Sequence, residues 1–102
     1  MPLVTGVGNP VTPRLNVGLP WPNPARGDAA MSLAFELSSP DVITLRVFDA
    51  AGRLVAERPP VGYAEGGHAI TWDPGIEHSG VYSVRIETAL GLASTRRWVV
   101  AR

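Results

Sequence analysis

His78-Ser79-Gly80-Val81-Tyr82-Ser83-Val84-Arg85-Ile86-Glu87 is the stretch whose reading decides the architecture. Ser79-Gly80 is a turn signal. Strict alternation follows, with Tyr82, Val84 and Ile86 on one face and Ser83, Arg85 and Glu87 on the other. A period of two with one apolar face marks a half-buried strand. Tyr82 stands near the start of that strand, placed to act as a corner post.

The same pattern recurs upstream. From Ala30 to Leu37, Met31, Leu33, Phe35 and Leu37 alternate with Ser32, Ala34 and Glu36. Ser38-Ser39-Pro40-Asp41 turns the chain. Val42 to Asp49 sets Ile43, Leu45 and Val47 against Thr44 and Arg46, while Phe48 breaks the period and is expected to cap one end of the sandwich. Ala51-Gly52-Arg53 connects tightly to a short strand, Leu54 to Glu57, which Pro59-Pro60 is expected to end. A glycine-rich loop (Gly62, Gly66, Gly67) then precedes His68 to Trp72. After Val81 to Thr88, Ala89-Leu90-Gly91 turns into a last strand from Leu92 to Val100.

The prolines of Leu19-Pro20-Trp21-Pro22-Asn23-Pro24-Ala25 cannot donate ladder hydrogen bonds, so this stretch is no central strand. Gly27-Asp28 is read as the turn into the first long strand. Residues 1–14 read as a linker or extended lead-in, and residues 15–102 as the domain. No helical period occurs anywhere. Short strands with turn signals every 8–12 residues predict an all-β fold: an immunoglobulin-like antiparallel β-sandwich of about seven short strands. Phe35, Leu45, Ile70, Trp72, Val84 and Trp98 are expected between its sheets, with Tyr82 as the corner tyrosine whose hydroxyl bonds back to nearby backbone.

Composition narrows the function. The 102 residues suffice for one domain with its own core, and cysteine is absent, which removes disulfides, thiol nucleophiles and cysteine metal sites. Nine basic residues, all arginine, balance nine acidic ones. That leaves no electrostatic footprint for nucleic acid or an anionic membrane. No apolar run is long enough to span a bilayer. Met1-Pro2-Leu3 does not open a leader, so export implies a leader on another part of a longer protein.

The reactive side chains form no constellation. His68 and His78 lie outside metal-ligand spacing; a metal would need Asp73 or Glu77 as helpers, which space allows but no signal supports, and the two read as surface histidines. Ser79 has no nucleophile elbow around it. Asp41 and Asp49 flank one strand and read as turn aspartates. The glycines from Gly62 to Gly67 have no lysine or following helix to cradle a phosphate. No nucleophile, base and oxyanion site come together, so no enzyme, metal or cofactor is expected. Trp21, between two prolines, is the aromatic most open to exposure, either covering an end of the core or docking a partner.

Four stretches together resemble a known family. Leu19 to Ala25, with Pro22, Asn23 and Pro24, is similar to an opening Pro-Asn-Pro box. Val42 to Val55 is similar to a strand–turn–strand hairpin in which Asp49, Gly52 and Arg53 fall on the motif. Gly67-His68-Ala69-Ile70-Thr71-Trp72-Asp73 resembles a segment ending in Trp-Asp, here Trp72 and Asp73. Ser79-Gly80-Val81-Tyr82 and the closing Trp98-Val99-Val100-Ala101-Arg102 resemble the final portion, with Gly80 and Tyr82 on the motif. Over about residues 15–102 the chain resembles the C-terminal sorting domain (type A) of type IX secretion substrates, with the related immunoglobulin-like domain of flagellar hook-capping proteins. The loop after Asp73 is shorter than the family's.

The resemblance implies a non-enzymatic sorting and anchoring module that directs a passenger through a bacterial outer-membrane secretion machinery. The passenger would be secreted or displayed on the cell surface, having crossed the periplasm of a Gram-negative-type bacterium. A surface sortase is the implied second partner, and the isolated domain is expected to be monomeric. Nothing follows the last strand to cover its edge, which makes it the expected site of strand addition. Its receptor-recognition candidates are Arg96, Arg97, Trp98, Val99, Val100 and Arg102, with Arg96 and Arg97 on opposite faces. Two alternatives stand beside this reading. One is a structural assembly module, hook-cap-like or a filament subunit, associating through strand edges. The other is a carbohydrate- or protein-binding sandwich using Trp21 or the 60–67 loop.

Overall fold

The structure, a computed structural model, describes residues 13–26 and 30–102. The lead-in apart from Pro13 and Arg14, and the turn assigned to Gly27-Asp28, lie outside the described residues. Among the described residues the fold is all-β: β1 (Leu15–Val17), β2 (Ala25–Arg26), β3 (Met31–Leu37), β4 (Asp41–Phe48), β5 (Leu54–Tyr63), β6 (Gly66–Trp72), β7 (Gly80–Thr88) and β8 (Ala93–Ala101). They form a three-stranded sheet, β1-β3-β6, facing a five-stranded sheet, β2-β8-β7-β4-β5.

Register carries the alternation of the sequence into a core. Leu33 lies opposite Ile70 across β3 and β6. In the other sheet Leu45 lies opposite Ile86, Val47 opposite Val84, and Tyr82 opposite Trp98. These inward rows are buried together with Met31, Phe35, Leu37, Ile43 and Val100. A large apolar side chain taken fully out of water contributes roughly 1.5–3 kcal/mol. Of the six expected core residues, five are buried. Trp72 is the exception: as the last residue of β6 it packs only partly against the core.

Four features depart from the alternation-based reading. The strand begun at Leu54 does not stop at Pro59-Pro60 but continues to Tyr63. It is an edge strand, where proline's missing N–H costs no ladder bond, and the register slips between Ile43 and Leu45 to accommodate the pair. The glycine-rich 60–67 loop accordingly shrinks to Ala64-Glu65. One pairing is parallel: β2 runs alongside β8, Ala25 opposite Val100. The proline-rich stretch carries the chain from β1 in one sheet to the rim of the other, and it arrives in the direction of β8. Phe48, finally, lies opposite Ser83 and lines a groove on the outer face of the larger sheet instead of closing an end of the core.

Side-chain hydrogen bonds fix the turns. Asp49 accepts from the backbone N–H groups of Ala51 and Arg53, both at 2.9 Å, and from the Arg53 guanidinium at 3.1 Å. Gly52 takes a φ of 83°, which glycine adopts without strain. Asp41 ties the far end, accepting from Val42 N–H at 2.7 Å and Ala89 N–H at 3.0 Å. The Tyr82 hydroxyl donates to the His78 carbonyl at 2.7 Å, tying the β6–β7 connection to the base of β7.

Candidate recognition surface

The last strand is divided by its own period. Arg96, Trp98 and Val100 face the other sheet, while Thr95, Arg97 and Val99 face outward. Trp98 is 1% exposed and its indole N–H donates to the Pro22 carbonyl at 2.9 Å. Arg96 sits beyond the apolar row and spans the gap between the sheets. Its guanidinium donates to the Val17 carbonyl from Nη2 at 3.0 Å and from Nε at 3.3 Å. The expectation that all six terminal residues present themselves to a receptor is therefore narrowed. Trp98 and Val100 are core residues and Arg96 is engaged with β1, so the outward group is Arg97, Val99 and Arg102.

The strand's edge is not bare. Asn23 is wedged between two prolines, neither of which has an N–H to offer, and its side-chain amide bridges the edge of β8. Nδ2 donates to the Arg97 carbonyl at 3.3 Å, and Oδ1 accepts from Val99 N–H at 3.1 Å. The two residues of β2 continue this cover towards the C-terminus. Pro22, Asn23 and Pro24 thus form a clasp on β8, with cis peptide bonds at Trp21-Pro22 and Asn23-Pro24. The expected open edge is closed from Arg97 onward, because a side-chain amide carries the same donor and acceptor as a peptide group. Before the clasp, Trp21 exchanges two backbone hydrogen bonds with Ser32 at 2.8 and 2.9 Å, and the residue is 48% exposed.

At the C-terminal end, Arg102 N–H donates to Ser79 Oγ at 2.8 Å and its guanidinium donates to the Ile76 carbonyl at 2.9 Å. Gly80, opposite Val100, and Tyr82 lie beside these contacts. Trp72 and Asp73 close β6, where Asp73 Oδ1 accepts from Gly75 N–H at 2.9 Å.

The outer face of the larger sheet holds a groove of about 680 Å³, lined by Phe48, Asp49, Val81, Arg85, Thr95 and Arg97 among others. Of its charged lining, Asp49 pairs with Arg53 and Arg85 joins a neighbouring ion-pair cluster. Arg46 pairs with Glu57 at 3.0 Å and with Glu87, and Arg85 also pairs with Glu87. The hydrogen bond from Arg85, aided by the charge of Arg46, holds the Glu87 carboxyl below its usual range against partial desolvation. The backbone hydrogen bond from Arg53 does the same for Asp49, with Ala51 and the Arg53 charge adding to it. The Arg97 guanidinium makes no hydrogen bond or ion pair among the described residues.

Asp49, Gly52 and Arg53 thus build a turn, Pro22 to Pro24 clasp β8, and Gly80 and Tyr82 pair with Val100 and Trp98 of β8. Sequence reasoning missed the Asn23 clasp and the Arg96 bond to Val17. An asparagine flanked by prolines is the one signal that pointed to the first.

Comparison with known proteins places this arrangement. A family model for the secretion system C-terminal sorting domain matches residues 20–101. The chain belongs to that family. The resemblance to the sorting domain is thereby borne out. Such domains are non-catalytic signals of type IX secretion, interact with that machinery, and mark proteins for export to the cell surface or medium. No curated protein matches the chain.

Among solved structures, the sorting domain is similar to part of a β-glucosidase from Listeria innocua. The gluconolactone complex gives a TM-score of 0.64 at 12% identity, covering 89% of this chain and 16% of that one. The glucose complex gives 0.64 at 11% identity with the same coverage. An engineered protein gives 0.55 at 19% identity, covering 98% of this chain and 22% of that one. The chain spans under a quarter of each, so these likenesses speak for the sandwich fold alone. Among the described residues no helix is long and apolar enough to cross a membrane.

Proposed function

We propose that residues 15–102 direct a passenger protein, joined ahead of residue 15, through the outer-membrane machinery, and that residues 1–14 serve as the connecting lead-in. The match over residues 20–101 carries this reading. The geometry supports it. Leu15 lies beside Leu37 at one end of the sandwich, while Val100 lies beside Gly80 at the other. A passenger leaving from β1 stands clear of the terminal strand. The receptor reads Arg97, Val99 and Arg102 on the outside of that strand, and Arg96, Trp98 and Val100 set its shape from within. After export a surface sortase removes the domain, and the passenger is anchored or released. The isolated domain is monomeric and acts without catalysis.

The test is a fluorescent passenger fused to residues 15–102 in a host with the machinery, beside the same fusion lacking residues 92–102. Passenger in the medium or on the surface with the first and retained within the cell with the second is the expected result. Export surviving the deletion removes the role assigned to the last strand.

A further inference from the structure

Four strand edges bound the two sheets, and three of them are closed by identifiable devices. On β8 the clasp of Asn23 and the pairing of β2 occupy the edge from Arg97 onward. On β1, only three residues long, the Val17 carbonyl is taken by the Arg96 guanidinium. On β5, Pro59 and Pro60 lack N–H groups and the register is bulged. These are the means by which sheets avoid unwanted pairing. Among the described residues the edge of β6 has none of them.

Its unpaired groups can be assigned from the ladder. Ser32 exchanges both backbone bonds with Trp21, and Gly18 N–H donates to Ala34, so even-numbered β3 residues bond towards β1. The odd-numbered ones therefore bond β6 through their partners Gly66, His68, Ile70 and Trp72. That leaves the N–H and C=O groups of Gly67, Ala69 and Thr71 aimed outward. Among the described residues no strand pairs with β6 on the side away from β3, and a Cβ added at Gly66 or Gly67 would meet nothing within 4 Å, so the face of the strand is open there as well. The side chains of Gly67, Ala69 and Thr71 are small, uncharged and exposed. The one titratable residue of the strand, His68, is turned inward, stacked on Phe35 and bonded to the Ala64 carbonyl at 2.8 Å.

Charge selects the occupant. Exposed Glu65 and Asp73 stand at the two ends, eight positions apart, with seven residues free of Lys, Arg, Asp and Glu between them. A second copy pairing antiparallel about Ala69 would set Glu65 against Asp73 at both ends. Like charges directly opposed in this way disfavour pairing. An extended segment with basic residues at both ends meets no such penalty. We infer that the β6 edge is a strand-addition site for an extended partner segment: an uncharged stretch flanked by Arg or Lys, bound through the backbone of Gly67, Ala69 and Thr71. This goes beyond the sorting role. A domain that exports its passenger with a silent β6 edge would leave that role intact.

The test uses the full chain and a fluorescein-labelled, end-blocked peptide, Arg-Thr-Val-Thr-Val-Thr-Val-Thr-Arg, read by anisotropy. Binding that weakens with salt, and falls at least about tenfold when the flanking arginines become glutamates, is expected. Ala69→Pro removes one outward N–H without touching a β3 bond and should abolish binding, with circular dichroism showing the fold retained. Should that variant misfold, Glu65→Gln/Asp73→Asn serves instead, since the introduced amide oxygen can still accept from Gly75 N–H, and it should weaken binding and flatten the salt dependence. No binding up to about 1 mM peptide, or equal binding by Ala69→Pro or by the glutamate-flanked peptide, overturns the inference. So does sedimentation showing a dimer that Ala69→Pro dissociates, which would make a second copy the occupant.

Discussion

Asn23 does with its side chain what a neighbouring strand does with its backbone, and the consequence is measurable. Asn23→Ala leaves the Arg97 carbonyl and Val99 N–H to solvent, removing two exposed hydrogen bonds and about 1–2 kcal/mol of stability in urea unfolding. Hydrogen exchange at the Val99 amide should quicken more than exchange at Val84. Tyr82→Phe keeps the buried ring but loses the hydroxyl bond to His78, for about 1 kcal/mol by the same method. Two carboxylates set an acid dependence. Asp49 and Glu87 both titrate lower when folded than in the open chain. The unfolded chain therefore takes up their protons first, and their stabilisation is present above the open-chain values of 3.8 and 4.5 and is lost as pH falls further. Asp49→Asn/Glu87→Gln should lose less melting temperature than the parent between neutral pH and acid. An equal loss would mean that other groups govern the acid limb.

Strands β3, β4, β7 and β8 were legible because each is half-buried and obeys a period of two: Met31 to Leu37 and Tyr82 to Ile86 declare their inner faces residue by residue. Strand β5 was half legible. Proline is incompatible with a central strand, so Pro59-Pro60 reads as a stop, and only the position at a sheet edge makes it passable. That position is a property of the assembled sheet, not of the local sequence. The clasp was named as a motif, yet its target could not be read, because Asn23 and Val99 are 76 residues apart. The same holds for Arg96, whose partner Val17 belongs to the other sheet. Strand β8 joins both kinds of information: its inner row packs the core, and its edge is held from a distance. Trp98→Ala should cost about 3–5 kcal/mol and loosen the clasp with it, read as a lower denaturation midpoint and faster exchange at Val99.

As a whole molecule the domain is a sandwich with its entry at one end and its terminal strand fixed at the other. The sorting role proposed above fits this placement, since a label must stand away from what it labels. If the machinery reads the folded surface, then Arg97 and Arg102 matter through their outward charge and Trp98 matters through the fold. Those contributions can be separated. The most direct measurement is the exported fraction of a fluorescent passenger carrying the Arg97→Glu/Arg102→Glu domain, taken beside the melting temperature of the same domain purified. The account predicts a melting temperature lowered by no more than loss of the Arg102 bond to Ile76 explains, about 1 kcal/mol or roughly 4–8 °C, and export reduced at least about tenfold. Export at the parental level from that folded, charge-reversed domain would contradict it.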